Sequence, residues 1–168
     1  EEFSYGDIAF APGIHDAQLH QTQSVLMALG EDELLKPYRV RAGQPAPGAD
    51  LGGWYDADAF CPGHTYGQWL SALSRSYAIS GDAATREKIN AMVHDIAQVK
   101  DLNLFFQGNG SGNRFPAYIF DKLNCGLSDA YTFAGCHDAA DALAYVLRSA
   151  NPSLPDRALS RAEQAQRP

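Results

Sequence analysis

No apolar run in this chain of 168 residues approaches the ~20 consecutive residues that a membrane-spanning helix requires. Membrane insertion is therefore not expected. Basic residues are few and scattered, with 13 Lys and Arg against 20 Asp and Glu and a net charge of −7. A polyanion would find no cationic stripe to hold, which argues against nucleic acid as a partner. Cysteine is confined to Cys61, Cys125 and Cys136, an odd number with no C-x-x-C pair, so neither a disulfide framework nor a four-cysteine zinc site is supported. Buried free thiols are the expectation, and a bridge between Cys125 and Cys136 stays open because it depends on geometry. The start, Glu1-Glu2-Phe3, has neither an initiator Met nor a signal sequence, and is expected to be processed or engineered. Strand-like alternation is missing as well.

What is present is helical periodicity in a composition of 45% hydrophobic and 20% charged residues, the range of a single globular domain. Leu19, Leu26 and Leu29 predict a helix from Asp16 to Leu29, with Gly30 as its stop. Glu31 to Lys36 predicts one or two further turns before Pro37 ends them. Ala42 to Gly53 carries too much Gly and Pro for a regular element and is expected to be a loop. Tyr66, Trp69, Leu70, Leu73 and Tyr77 then form one stripe of a helix, with His64, Gln68, Ser71 and Arg75 on the other side.

Gly81-Asp82 should end that helix and cap the next. In this next helix Ile89, Met92, Val93 and Ile96 face inward, with Arg86, Glu87, Lys88 and Asp95 outside. The run from Gln107 to Asn113 reads as flexible, and its Asn109-Gly110-Ser111 triplet matches a glycosylation acceptor that such tripeptides often mimic by chance. Beyond it Ile119, Leu123, Leu127, Ala130, Tyr131 and Ala134 predict an apolar arc closed by Gly135. A last helix turns Leu143, Val146 and Leu147 inward until Pro152 and Pro155, and the tail reads as weakly ordered.

Leu73-Ser74-x-x-Tyr77-x-x-x-Gly81 recurs as Leu127-Ser128-x-x-Tyr131-x-x-x-Gly135. Self-similar helix, Gly turn, helix units bury one face on their neighbours, as in solenoids and closed rings of hairpins.

The chemically richest stretch runs from Gly52 to Thr65 and holds Trp54, Tyr55, Asp56, Asp58, Phe60, Cys61 and His64. Sugars suit such a mixture, since their C–H faces lie on aromatic rings and their hydroxyls pair with carboxylate or imidazole. The same residues also suit a loop anchored by its aromatics, with Asp56 and Asp58 bonding to the turn backbone. His64, read at the first turn of its helix, is expected to be neutral and either a hydroxyl reader or a helix-end group. Cys61-x-x-His64 could be half a metal site, but no second half is visible. Tyr118, Asp121, Lys122 and Asp129 share one helix face, which could be a solvated or interhelical polar network or could line a cavity inside a ring of helices.

Four segments, from Leu34-Leu35-Lys36-Pro37-Tyr38-Arg39 through Gly52-Gly53-Trp54 and Gly63-His64-Thr65-Tyr66-Gly67-Gln68-Trp69-Leu70-Ser71-Ala72-Leu73 to Tyr118-Ile119-Phe120-Asp121-Lys122-Leu123, together resemble the bacterial β-L-arabinofuranosidase-like glycoside hydrolases. The resemblance implies an all-α chain of antiparallel helical hairpins making about half of an (α/α)6 toroid, which β-sandwich domains usually follow. It implies hydrolysis of plant-polysaccharide sugars such as terminal L-arabinofuranose, and a secreted or periplasmic location. Members of the family use a zinc-held cysteine thiolate as nucleophile with an assisting glutamate. No Glu-x-Cys or Cys-Cys segment matches those groups here, so no catalytic residue is assigned and no cofactor is expected in this chain, zinc belonging to the full-length enzymes. At Asp121 many members have His, which leaves the sugar undetermined.

The expected sugar-binding residues are Trp54, Tyr55, Asp56, Asp58, His64, Tyr118, Asp121 and Lys122. An incomplete ring leaves an apolar flank that the rest of the polypeptide or a second copy should cover. The rival expectation is a non-catalytic helical module that binds a glycan or a protein on its concave face.

Overall fold

The computed structural model describes residues 3–102 and 115–166, and every regular element among them is helical. In chain order the α-helices are α1 (Ile14–Ala28), α2 (Glu31–Arg41), α3 (Tyr66–Ser80), α4 (Ala83–Ala97), α5 (Pro116–Ala134), α6 (Asp138–Ala150) and the single turn α7 (Arg161–Gln164), with short 3-10 turns at Tyr5–Asp7 and Asn151–Ser153. The expected all-α architecture of successive hairpins is what forms. The run from Gln107 to Asn113, with its Asn109-Gly110-Ser111 triplet, lies outside the described residues.

The hairpins turn where the sequence places left-handed backbone. Gly81 at φ 65° closes α3, and the Asp82 carboxylate then accepts from the Thr85 N–H at 2.8 Å to open α4. That cap satisfies one of the donors every helix start leaves over. Gly135 at φ 62° closes α5 in the same way.

The two repeat units meet through α3 and α5, whose backbones touch. A Cβ on Gly67 would sit 1.9 Å from the Lys122 carbonyl oxygen, and one on Gly126 would sit 2.3 Å from the Gly67 carbonyl oxygen. Further along, Ser71 and Arg75 of α3 both reach Asp129 of α5, so the two helices run in parallel. Helices α4 and α6 pack on one another behind them, and α1 and α2 pack against α3 and α4 respectively. The core between these layers is apolar, with Leu70, Leu73, Ile89, Met92, Leu123 and Leu127 fully buried.

Four expectations need correction. Helix α2 does not stop at Pro37 but passes through it to Arg41, burying Leu34, Leu35, Pro37 and Tyr38. A proline inside a helix costs about 3 kcal/mol, whereas each fully buried leucine or tyrosine contributes roughly 1.5–3 kcal/mol, so packing wins. Lys88, expected outside, is only 8% exposed. Its Nζ donates to the Met27 carbonyl at 3.0 Å and to that of Leu29, and lies 3.7 Å from the Glu31 carboxylate. The end of α1 presents carbonyls without helical partners and a partial negative charge, and a cation satisfies both.

Tyr131 and Leu147, expected inward, are 50% and 45% exposed. Among the described elements no helix covers that side of α5 and α6. Finally, the tail holds an ordered turn: the Ser160 side chain accepts from the Glu163 N–H while the Glu163 carboxylate accepts from the Ser160 N–H, a capping box that opens α7.

Candidate functional site

Between α2 and α3 a connector without helix runs from Ala42 to Thr65, tied down by buried tyrosine hydroxyls. Tyr38 donates to the Gly63 carbonyl at 2.9 Å, Tyr55 donates to the Leu34 carbonyl, and Tyr66 donates to the Met92 carbonyl at 2.7 Å. Burial holds all three phenols well above the usual tyrosine range, because their ionised forms would lose water, a cost that the Arg39 guanidinium offsets only in part at Tyr66. Arg41 clamps the middle of the connector by donating to the Ala57 carbonyl from Nε at 3.0 Å and from a terminal nitrogen at 2.8 Å. The connector is thereby a fixed piece of surface.

The aromatics in it divide. Tyr55 points inward as an anchor, 5% exposed, whereas its neighbour Trp54 is 65% exposed. The Trp54 indole lies against Phe60 at 5.2 Å between centroids, and Phe60 lies against Phe115 at 4.9 Å. Phe115 is the N-cap residue of α5, with Pro116 at its first helical position. Sequence reasoning missed Phe115 as a site residue. The Phe-Pro pair opening an amphipathic run marks a helix start, but nothing in it names the connector as its partner.

His64 sits one residue before the N-cap Thr65 of α3 rather than in the helix's first turn as expected, because Gly63 adopts φ 68° and turns the chain there. Its Nδ1 is 2.7 Å from the Cys61 carbonyl oxygen. A carbonyl only accepts, so the ring proton sits on Nδ1 and Nε2 of the neutral ring is an acceptor. The imidazole centroid lies 6.1 Å from the Tyr55 ring and 6.4 Å from that of Tyr118. Tyr118, 42% exposed, carries the Lys122 ammonium 4.9 Å from its ring centroid, and that ammonium pairs with Asp121 at 2.9 Å. The Asp121 carboxylate raises the Lys122 pKa by accepting this bond. The N-terminal ends of α3 and α5 thus bring His64, Tyr118, Asp121 and Lys122 together. Trp54 joins the same end through Phe60 and Phe115.

The remaining candidates stand apart from this group. Asp56 accepts from the Gly52 N–H at 2.9 Å, a turn bond inside the connector. Asp58 is exposed and acts electrostatically on Arg41. Asp129 leaves the face it shares in sequence with Lys122 and instead joins the helices, accepting from Ser71 Oγ at 2.5 Å and Arg75 Nε at 2.9 Å.

All three cysteines are free, Cys61 and Cys136 buried and Cys125 exposed, so no Cys125–Cys136 bridge forms. Burial pushes the Cys61 thiol upward, and the atom of Cys61 that His64 meets is the carbonyl oxygen. Among the described residues no group of three or more His, Cys, Asp or Glu is placed to hold a metal ion. The zinc that the resemblance implies for full-length enzymes therefore has no ligand set there. Asp56, Asp121 and Asp129 are taken up by a turn, an ion pair and an interhelical bridge respectively. Ring faces and hydrogen-bonding groups suited to a sugar are what this surface offers.

No individual curated protein matches the chain. The sequence profile described as Beta-L-arabinofuranosidase, GH127 catalytic domain, matches residues 7–151. That span holds all six long helices and the whole of the connector. The chain belongs to the GH127 β-L-arabinofuranosidase catalytic-domain family.

Proposed function

We propose that this chain forms part of a glycoside hydrolase acting on plant-polysaccharide sugars such as terminal L-arabinofuranose, and that its share of the work is binding. The observation that carries the reading is the meeting of His64 with Tyr118 and the Lys122–Asp121 pair at the N-terminal ends of α3 and α5. A terminal furanose laid on the Tyr118 ring would find an acceptor in His64 Nε2, donors on Lys122 and a carboxylate on Asp121, the mixture that hydroxyl groups require. Tyr55 supports this wall from beneath, and Asp56 and Asp58 hold the shape of the connector.

Polymeric plant glycans do not cross membranes, which fits a secreted or periplasmic place of action. The exposed flank carrying Tyr131 and Leu147 fits further hairpins, or a second copy, as its cover.

Calorimetric titration with methyl β-L-arabinofuranoside tests the reading. His64→Ala is expected to weaken binding at least about tenfold, the effect of ~1.4 kcal/mol, while the helical circular dichroism stays intact. Unchanged affinity would remove His64 from the site. The chain alone is expected to bind without hydrolysing, so release of nitrophenol from nitrophenyl β-L-arabinofuranoside would refute that part.

A further inference from the structure

We propose that the fully buried Tyr38 is a positioning residue for the imidazole of His64: its hydroxyl holds the Gly63–His64 peptide in the orientation that keeps the ring proton on Nδ1 and leaves Nε2 an acceptor. The inference rests on the sugar-binding reading above and deepens it, by naming what makes His64 a reader of hydroxyl groups.

The geometry lies in one peptide unit. Its oxygen is the Gly63 carbonyl, which accepts from the Tyr38 hydroxyl at 2.9 Å. Its N–H belongs to His64 and donates to the Cys61 carbonyl at 3.3 Å. That same Cys61 oxygen lies 2.7 Å from His64 Nδ1. The phenol thus fixes one edge of the peptide plane, and the opposite edge brings backbone and imidazole to a single acceptor. Which ring nitrogen carries the proton is set by the bond the other nitrogen makes. An imidazole released from Cys61 would place its proton in part on Nε2, where the ring donates instead of accepting.

The ring of Tyr38 acts in the same direction. A Cβ on Gly63 would fall 2.7 Å from Cε2 of Tyr38, so the turn lies directly on the ring, and its φ of +68° suits glycine. Tyr38 is fully buried with the Tyr66 ring edge-on at 5.5 Å, and so has no room to give way. Burial also holds the phenol well above the usual tyrosine range, which keeps its proton in place for donation across the neutral range. The Gly63 carbonyl accepts from the Tyr66 N–H at 3.1 Å as well. Removing the hydroxyl therefore leaves that carbonyl with a partner, and the expected result is a peptide free to tilt rather than an unfolded chain.

Long-range proton–nitrogen NMR spectra of the His64 ring at about pH 8, above the usual histidine range, test this. The unaltered chain should carry the proton on Nδ1, and Tyr38→Phe should move it in part to Nε2. Affinity for methyl β-L-arabinofuranoside should fall roughly threefold to tenfold in the same variant, the worth of one hydrogen bond. Tyr66→Phe is the control: it removes an equally buried hydroxyl, bonded at 2.7 Å to the Met92 carbonyl, and should lower the urea midpoint without moving the His64 ring signals or the affinity.

An unaltered chain with the His64 proton on Nε2 overturns the inference without any variant. Ring signals that stay unchanged in Tyr38→Phe overturn it too, as do signals that move equally in Tyr66→Phe, since loss of core packing would then be the cause. A proton that moves in Tyr38→Phe while the affinity holds leaves Tyr38 as the positioning residue and removes His64 from the sugar site instead. Absence of glycoside binding in the unaltered chain overturns the sugar site, and the ring signals still decide the role of Tyr38.

Discussion

The unit α3–α4 and the unit α5–α6 start from nearly the same sequence and end in different surroundings. Leu73 and Leu127, equivalent in the repeat, are both fully buried. Three positions on from each serine the likeness fails: Tyr77 is partly buried against the core with the Arg86 guanidinium 5.8 Å from its ring centroid, whereas Tyr131 is half exposed and meets His137 in a T-shaped contact at 5.8 Å. Ser74 is buried and donates to the Leu70 carbonyl at 2.7 Å, while Ser128 is exposed. The cause lies in the neighbours. Helix α3 packs against both α1 and α5, but α5 has only α3 beside it among the described helices of the inner row. Repeated sequence therefore fixes the helix and its turn, and adjacency fixes which face is dry.

The contact shared by both units is where the comparison breaks most easily. Gly67→Ala would drive a methyl to 1.9 Å from the Lys122 carbonyl, and a backbone cannot yield as a side chain can. We expect a loss of roughly 3 kcal/mol or more, a large part of the 5–15 kcal/mol typical of a domain. Gly81→Ala is the control, because a Cβ there meets nothing within 4 Å and only its φ of +65° is strained, at about 1–2 kcal/mol. Urea denaturation of the two variants checks this. Equal losses would mean that α3 and α5 are not in backbone contact.

The second difference is the buried anchoring of the connector and of α3 by Tyr38, Tyr55 and Tyr66, whereas the tyrosine anchor of α6, Tyr145 donating to the Val99 carbonyl at 2.5 Å, is only partly buried. Each of the three buried phenols is held above its unfolded value of about 10, so the folded chain keeps protons that the unfolded chain releases above that pH. Stability from these groups is fully present below pH ~10 and falls as pH rises beyond it, by about 1.4 kcal/mol per pH unit for each tyrosine. The measurement is the urea midpoint from pH 9 to 11. A midpoint that holds constant across that window would show that these hydroxyls are not buried.

Much of this was legible in the sequence, and what was not has a common cause. Periodicity located α3 to α6, and Gly81-Asp82 named both an end and a start, because caps are local chemistry. Gly67 and Gly126 carry no such signal: inside a helix a glycine reads only as a weak position, and its reason lies in the partner helix. The burial of Lys88 depends likewise on the end of α1, and the continuation of α2 through Pro37 depends on what its leucines bury. The aromatic richness from Trp54 to Phe60 pointed to the candidate site. Which ring faces out could not be read, since a connector of turns has no period to sort Trp54 from Tyr55. His64 was placed inside α3 because the positive φ of Gly63 is invisible until the chain folds.

The smallest expected effect sharpens the comparison most directly. Tyr77→Ala removes a partly buried ring from between α3 and the Arg86 guanidinium, and is expected to cost about 2 kcal/mol. Tyr131→Ala removes a ring that already meets water over half its surface and should cost less than about 1 kcal/mol. The difference between two substitutions at equivalent repeat positions isolates the neighbour from the sequence, since residue type, helix position and following glycine are shared. Parallel urea melts of the two variants measure it. Equal losses would mean that Tyr131 is covered in solution by something these residues do not supply, with a second copy of the chain the first candidate. Repeating the melt of Tyr131→Ala over a hundredfold range of protein concentration would then show whether self-association supplies the cover, because stability gained through a partner subunit rises with concentration and intramolecular stability does not.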